Sequence, residues 1–284
     1  MSPDYLLTLS CPDRRGVVHA VASYLLTCGC NILDSQQFYD AETGLFFMRV
    51  HFAAEEPGVD LPVLRGGFEP VARTFRMTWQ IHDPADRMRL LILVSRHGHC
   101  LNDLLYRRSI GALPVDVPAV VSNHPDFAGL AASYGVAFHH LPVGPENRAA
   151  QEAEISGLVE AERIDLVVLA RYMQVLSPEL CDRMPGRMIN IHHSFLPSFA
   201  GARPYHQAHV RGVKIIGATA HYVTADLDEG PIIEQDVARV DHTHTTAALA
   251  AVGRDVECQV LARAVTAHVE HRVLVNGART VVFR

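Results

Sequence analysis

Residues 190–197 read Asn-Ile-His-His-Ser-Phe-Leu-Pro and form the densest polar cluster of the chain. The cluster begins at the end of the largely apolar run 188–191, which has the character of a buried strand in an α/β sheet. Residues two apart along a strand share a face, so we expect Asn190 and His192 to point the same way while Ile191 packs. An amide and an imidazole aimed at one point are suited to polarising a carbonyl group and transferring a proton. The pattern alone leaves open that both only satisfy backbone groups at a strand end.

A second polar cluster, residues 221–231, reads His-Tyr-Val-Thr-Ala-Asp-Leu-Asp-Glu-Gly-Pro and follows a predicted strand at 214–220. Asp228 lies in this acidic loop, where a carboxylate could reach a partner across a cleft. Beside His192, such a carboxylate would raise the proton affinity of the imidazole and could hold a water molecule. An isolated Asp in a turn more often caps the loop, and spacing does not distinguish Asp228 from Asp226 or Glu229.

The segment 95–103 forms the first strand-to-helix connection of the predicted sheet, where many α/β proteins bind phosphate. It contains a single glycine, Gly98, between His97 and His99, and has neither a GxGxxG nor a P-loop pattern. We therefore expect no nucleotide or phosphate site at this turn.

Histidine is unusually abundant, with 17 residues, and several of them are close neighbours in sequence. None belongs to an HExxH motif or to the CxxC arrangement of a typical zinc site, so we expect no metal. Adjacent residues on a strand point to opposite faces, so we expect His193 to face away from His192 and to pack in the core. The alternative is a water-relay pair of His193 with His99 or His139.

Hydrophobic periodicity divides the chain into two blocks. The first has βαββαβ order, which predicts a ferredoxin-like antiparallel sheet with two helices on one face. Its predicted strands are 5–10, 32–39, 45–53 and 77–82, and its predicted helices are 16–27 and 61–75. The polar, proline-containing segment 82–86 is typical of a linker, so we predict domains at 1–83 and 84–284.

In the second block, short runs that are apolar throughout alternate with helical stretches. This pattern predicts an open, mostly parallel, Rossmann-like α/β sheet that binds ligands beyond the carboxyl ends of its strands. The predicted strands include 89–94, 119–122, 166–170 and 188–192, and the predicted helices are 100–108, 127–134, 147–163 and 178–184. A long helix at 246–269 and one final strand at 272–283 complete the prediction.

Composition excludes several classes of protein. The 284 residues are 49% hydrophobic with a net charge of −6, which argues against broad capture of nucleic acid or an anionic membrane. No apolar run is long enough to span a bilayer, and the first residues lack the basic region of a secretory signal. The six cysteines form no CxxC pair or disulfide framework. We therefore expect a soluble, cytoplasmic protein.

Several motifs resemble the formyltransferase family that uses 10-formyltetrahydrofolate. They are Asn190-Ile191-His192, Ser194-x-Leu196-Pro197, His221 and Asp228-x-Gly230. The deformylase branch of that family is resembled most closely, through the doubled His192-His193 and the segments 95–105, 170–176 and 217–222. The N-terminal Cys-Pro-Asp-Arg-x-Gly at 11–16 resembles the ACT domain that precedes the catalytic domain in this branch. The resemblance covers essentially the whole chain.

The resemblance implies hydrolysis of 10-formyltetrahydrofolate to formate and tetrahydrofolate, a reaction of one-carbon metabolism and purine biosynthesis. It places Asn190 and His192 at the formyl oxygen, Asp228 at the attacking water and His221 in support of Asp228. It implies no cofactor, because the folate is the substrate. The residues that it places around the pterin are Tyr172, Met173, Gln174, Val175, Leu176, Val223, Thr224 and Ala225.

The ACT-like block implies control by a small amino acid, glycine or methionine in this context, and a homodimer or homotetramer. Assembly without regulation is the alternative for this block. For the catalytic block, the alternatives are formyl transfer to an amine acceptor, a folate and amino-acid sensor without chemistry, and a metal-dependent hydrolase. The histidines at 97 and 99 fill the turn that related transferases use for a phosphorylated amine, which favours water as the acceptor.

Overall fold

The computed structural model describes residues 3–196 and 204–284. The chain divides into two units, each described separately below. The first comprises Met1–Asp86, Glu270–Asn276 and Val281–Arg284, and the second comprises Arg87–Val269 and Gly277–Thr280. The sequence had assigned residues 270–284 to the second domain. Of these, residues 270–276 and 281–284 group with the first unit, where Asn276 donates a hydrogen bond to Asp40, whereas residues 277–280 stay with the second.

The first unit is a four-stranded antiparallel sheet with strand order β2-β3-β1-β4. Its elements are β1 (Asp4–Pro12), α1 (Val17–Thr27), β2 (Cys30–Asp40), β3 (Leu45–Ala54), α2 (Leu61–Phe75) and β4 (Thr78–His82). This βαββαβ order and its antiparallel sheet agree with the prediction from periodicity.

Each helix of the first unit buries one apolar stripe against the sheet. Residues Val17, Val21 and Leu25, spaced four apart, are the buried positions of α1. Helix α2 begins at the cap Asp60, whose side chain accepts a hydrogen bond from the Val63 backbone N–H. Buried side chains from both helices and from strands β1 and β3 form one core.

The second unit is a seven-stranded sheet with order β11-β10-β9-β8-β5-β6-β7, parallel except for β10, which is antiparallel to both neighbours. Its strands are β5 (Arg89–Val94), β6 (Asp116–Ser122), β7 (Ala137–His140), β8 (Leu166–Leu169), β9 (Met188–His192), β10 (Ile215–Tyr222) and β11 (Ile232–Arg239). The helices are α3 (His99–Ser109), α4 (Ala128–Ser133), α5 (Arg148–Ala161), α6 (Pro178–Arg183), α7 (Pro204–Arg211) and α8 (Thr246–Val269). Central strand β5 is buried on both faces, as its uninterrupted apolar run requires.

The prediction of one final strand over 272–283 is wrong. The segment forms a hairpin of β12 (Val273–Asn276) and β13 (Arg279–Val282). Gly277 adopts a φ of 62°, a left-handed conformation that glycine reaches without strain. The Asn-Gly pair at 276–277 is the sequence signal for this turn.

Across the described ranges, no helix combines the length and apolar character that a membrane crossing requires.

Candidate active site

Strands β9 and β10 lie side by side and bring two predicted site residues together. Asn190 pairs with His221 in the antiparallel register, and the Asn190 Nδ2 atom lies 3.2 Å from His221 Nε2. His221 is buried, and its Nδ1 atom lies 2.8 Å from the carbonyl oxygen of Tyr222. Because a carbonyl only accepts, Nδ1 carries a proton and donates it there. In neutral His221, Nε2 therefore accepts a hydrogen bond from the Asn190 amide.

The loop after β10 places Asp228 beside both histidines. Its Oδ2 atom lies 3.1 Å from His192 Nδ1, and its Oδ1 atom lies 3.5 Å from His221 Nε2. The backbone of Asp228 has a φ of 59°, which Asp tolerates better than most residues. At Gly230 the loop returns against β10, where an added Cβ would lie 1.8 Å from the Tyr222 carbonyl oxygen. This close approach requires glycine and holds the carboxylate over the strand ends.

Charge and hydrogen bonding keep Asp228 ionised. The neighbouring His192 first and His221 second hold the pKa of this carboxyl well below its usual range, although burial opposes them. His192 thus faces a fixed negative charge through Nδ1. Its Nε2 atom is buried and, among the described residues, has no hydrogen-bond partner. An imidazole held by a carboxylate on one nitrogen and free on the other is arranged to exchange a proton with a ligand.

A cavity of about 260 Å³ opens at these groups. Asn190, His192, His221 and Asp228 line it, together with all eight residues expected around the pterin: Tyr172, Met173, Gln174, Val175, Leu176, Val223, Thr224 and Ala225. The buried Tyr172 hydroxyl accepts a hydrogen bond from Gln151 Nε2 at 2.7 Å, which fixes that wall to helix α5. Leu227, which the sequence did not single out, also lines the cavity.

The expectation that His193 faces away from His192 is wrong. Strand β9 ends at His192, so the alternation of strand faces does not extend to the next residue. The two rings stack, with centroids 5.1 Å apart and an interplanar angle of 19°, and both residues line the cavity. Burial, then the charges of Arg171 and His192, lower the pKa of His193 to about 4. His193 is therefore neutral at pH 7.

The sequence did not reveal a further group of buried polar side chains, which is centred on Glu257 of α8. Its side chain is 1% exposed, with Oε2 2.7 Å from His99 Nε2 and Oε1 accepting from the Tyr205 hydroxyl at 2.6 Å. Arg171 Nε lies 3.3 Å from Oε2. Burial raises the pKa of Glu257, but His99, Arg171 and Tyr205 outweigh it and leave the pKa lowered. The sequence signal for this group was a single glutamate, next to Val256, in a helix whose other buried positions are nonpolar.

Potential ligand atoms of His99, Cys100 and Glu257 lie within 4.8 Å of one another, the one such group found among the described residues. The contact with Arg171 already gives Glu257 a positive counter-charge, and a cation bound there would meet that guanidinium at close range. This donor set fits an internal ion-pair network better than a metal site.

Comparison with known proteins is consistent across sequence and structure. The family model described as formyl transferase matches residues 88–265. A formyltetrahydrofolate deformylase of Corynebacterium sp. (strain P-1) is 49% identical over 280 residues, covering 99% of this chain and 98% of that protein.

Solved structures give the same assignment. The crystal structure of a formyltetrahydrofolate deformylase from Burkholderia mallei is 54% identical, with a TM-score of 0.95, covering 99% of this chain and 100% of the other. A glycinamide ribonucleotide transformylase from Symbiobacterium toebii is less similar, at 33% identity and a TM-score of 0.65, and covers 70% of this chain and 95% of the other. The chain belongs to the formyltetrahydrofolate deformylases of the formyl transferase family.

Proposed function

We propose that this protein hydrolyses 10-formyltetrahydrofolate to formate and tetrahydrofolate, with Asn190, His192 and Asp228 as the catalytic residues. The family membership supports the reaction. The observation that carries the assignment of residues is the 3.1 Å contact between His192 Nδ1 and Asp228 Oδ2, with His192 Nε2 unpartnered among the described residues.

Asn190 supplies the hydrogen-bond donor for the formyl oxygen. Its amide nitrogen has two N–H groups, and His221 Nε2 accepts one of them. The second N–H is available to the formyl oxygen and strengthens its hydrogen bond as negative charge develops there. His221 acts as a positioning residue, because its contacts set the orientation of the amide and flank Asp228.

His192 moves the proton. With its Nδ1–H directed at Asp228, the lone pair on Nε2 removes a proton from water as the water oxygen bonds to the formyl carbon. The Asp228 carboxylate stabilises the imidazolium that results. The imidazolium then returns the proton to N10 as the C–N bond breaks. Tetrahydrofolate and formic acid are released, and the acid ionises to formate.

Residues 172–176 and 223–225 bind the pterin in this proposal. Support comes from their positions around the cavity, which has the largely apolar lining typical of small-molecule sites. No cofactor enters the scheme, because water is the acceptor and His192 carries the proton that is transferred to N10.

The experiment follows formate and tetrahydrofolate from 10-formyltetrahydrofolate with purified protein, with and without chelator, beside Asp228→Asn. We expect chelator-insensitive hydrolysis that the substitution slows by at least about 10²-fold. Chelator-sensitive hydrolysis would favour a metal enzyme instead. Formyl transfer to glycinamide ribonucleotide at a rate comparable with hydrolysis would favour a transferase. Folded protein without activity at any effector concentration would favour a folate sensor.

We also propose that the first unit, residues 1–83 in our sequence-based assignment, is an ACT-like regulatory domain that binds a small amino acid and joins protomers into a homodimer or homotetramer. Support comes from the βαββαβ order and from β2, an edge strand with exposed Leu33, Phe38 and Tyr39. Calorimetric titration with glycine and methionine, beside sedimentation velocity, tests both parts. Absence of heat with unchanged turnover would leave assembly as the role of this domain.

All six cysteines are free thiols. This supports a cytoplasmic location, where thiols are kept reduced.

A further inference from the structure

Arg171 is a buried cation on the wall of the catalytic cavity without a hydrogen-bonding role in the mechanism above. It follows β8, is 8% exposed and lines the same cavity as His192. Five buried side-chain atoms have no hydrogen-bond partner among the described residues, and three of them belong to this wall: Arg171 Nε, Arg171 Nη1 and His192 Nε2. Because buried polar groups are nearly always hydrogen-bonded, unpaired polar atoms grouped at one cavity indicate a missing ligand.

Glu257 balances the charge of Arg171 without satisfying its donors. The Nε–Oε2 distance of 3.3 Å makes an ion pair, yet Nε lacks a hydrogen bond with proper geometry. Both carboxylate oxygens already receive shorter contacts, from Tyr205 and from His99. The guanidinium is therefore held in place electrostatically while its N–H groups remain available to a second acceptor.

The backbone conformation of Arg171 is also unusual. Arg171 has a φ of 64°, in the left-handed region that favours glycine, so a long side chain is held here against the local backbone preference. Its carbonyl oxygen accepts a hydrogen bond from the Ser95 backbone N–H at 3.2 Å, which ties the residue to the end of β5. The backbone of Arg171 is thereby anchored at the ends of the two neighbouring strands β5 and β8.

We propose that Arg171 forms a carboxylate-binding subsite that holds the formate product beside His192. The proposal rests on the hydrolysis proposed above, because only hydrolysis turns the one-carbon group into an anion. The planar guanidinium presents paired N–H donors at the spacing of two carboxylate oxygens. The adjacent His193 is neutral at pH 7, so Arg171 supplies the positive charge. Formate is therefore a product inhibitor that depends on Arg171.

The probe is sodium formate, added to the full-length protein and followed by calorimetry and by inhibition of tetrahydrofolate release. Arg171→Gly removes the guanidinium at a φ that glycine adopts freely, and Arg171→Lys keeps the charge without the paired donors. Glu257→Gln removes the competing negative charge with little change in shape. Arg183→Gln, an exposed arginine of α6, is the matched control.

We expect Arg171→Gly to weaken formate binding by about tenfold or more, the size expected for charge-assisted hydrogen bonds. Arg171→Lys should lose part of that affinity, Glu257→Gln should gain affinity by a few-fold, and Arg183→Gln should match the wild type. Equal formate affinity in the wild type and Arg171→Gly would overturn the proposal, as would a wild type that binds no formate. If Arg171→Gly fails to fold, unchanged affinity in both Arg171→Lys and Glu257→Gln would overturn it.

The carboxylates of the substrate's glutamate tail are the alternative ligand for Arg171, in place of formate. Comparing substrates with and without the glutamate tail separates the two sources. A rise in KM in Arg171→Gly for the tailed substrate only, with formate affinity unchanged, would assign Arg171 to the tail and overturn the formate subsite. Because formate binding is measured without turnover, Arg171-dependent binding in a protein that does not hydrolyse the substrate would refute the proposed function and retain a carboxylate site.

Discussion

The amide nitrogen of Asn190 lies 3.2 Å from His221 Nε2 across the β9–β10 pair. The opposite nitrogen of the same imidazole is committed to the Tyr222 carbonyl, 2.8 Å away. The backbone of β10 thus determines which end of the Asn190 amide faces His221. The Asn190 amide, which we assign to the formyl oxygen, is therefore oriented by the hydrogen bond between His221 and the Tyr222 carbonyl.

Asn190→Asp should lower kcat by about 10²–10³-fold, because a carboxylate replaces the N–H donor with an acceptor. We expect KM to change much less, since the donor acts mainly on charge that develops in the transition state. Steady-state kinetics with 10-formyltetrahydrofolate measures both constants. Full turnover in this variant would remove Asn190 from the mechanism.

Asp228→Asn should reduce kcat by about 10²–10⁴-fold, because His192 loses the charge that stabilises its protonated form. Asn accepts the positive φ of this position, so the loop should keep its shape. Asp226→Asn, an exposed neighbour in the same loop, is the control and should retain wild-type turnover. Similar losses in the two variants would indicate a loop defect in place of a catalytic one.

His193→Phe should keep most of the activity, whereas His193→Asn should lose about tenfold. The first keeps a ring stacked on His192 and the second does not, and a neutral His193 contributes no charge for Phe to remove. Comparing kcat, KM and the pH profile of kcat in both variants checks this. Wild-type kinetics in His193→Asn would show that the stack has no influence on His192.

Gly253→Ala should destabilise the second unit by about 1–3 kcal/mol, because the added Cβ would lie 2.0 Å from the Tyr205 hydroxyl oxygen. Displacing Tyr205 would also break its hydrogen bond to Glu257. Gly157→Ala in α5 is the control: it meets no atom within 4 Å and should stabilise by about 0.5–1 kcal/mol. Urea denaturation of the two variants should therefore shift in opposite directions.

Stability should fall as the pH drops from about 6.5 to about 4. Burial lowers the pKa of His268 from 6.5 to about 4, and its Nδ1 atom lies 2.7 Å from the Tyr222 hydroxyl. Between these values the unfolded chain binds a proton that the folded chain does not, so acid favours unfolding; above pH 6.5 the contribution is complete. Urea midpoints at pH 7.5 and pH 5.0 should differ less in His268→Gln than in the wild type. An equal difference in both would contradict this assignment.

Local signals predicted much of the fold. The periodicity of apolar residues gave the bounds of α2, and the apolar run around Asn190 gave β9. The pairing of Arg171 with Glu257 was not predictable, because these residues are distant in sequence and meet only through tertiary packing. His193 was misplaced because periodicity does not reveal the residue at which a strand stops. The lone glutamate of α8 could have been flagged as a buried charge in need of a partner.

The first unit is completed by residues that are translated after the second. Asn276 donates a hydrogen bond to the buried Asp40 at the end of β2, and residues 270–276 and 281–284 belong with that sheet. At about 5–20 residues per second, β2 leaves the ribosome on the order of ten seconds or more before these partners exist. During that interval the exposed Leu33, Phe38 and Tyr39 of β2 are open to contact with neighbouring nascent chains. The domain to which we assign regulation is thus begun first and finished last.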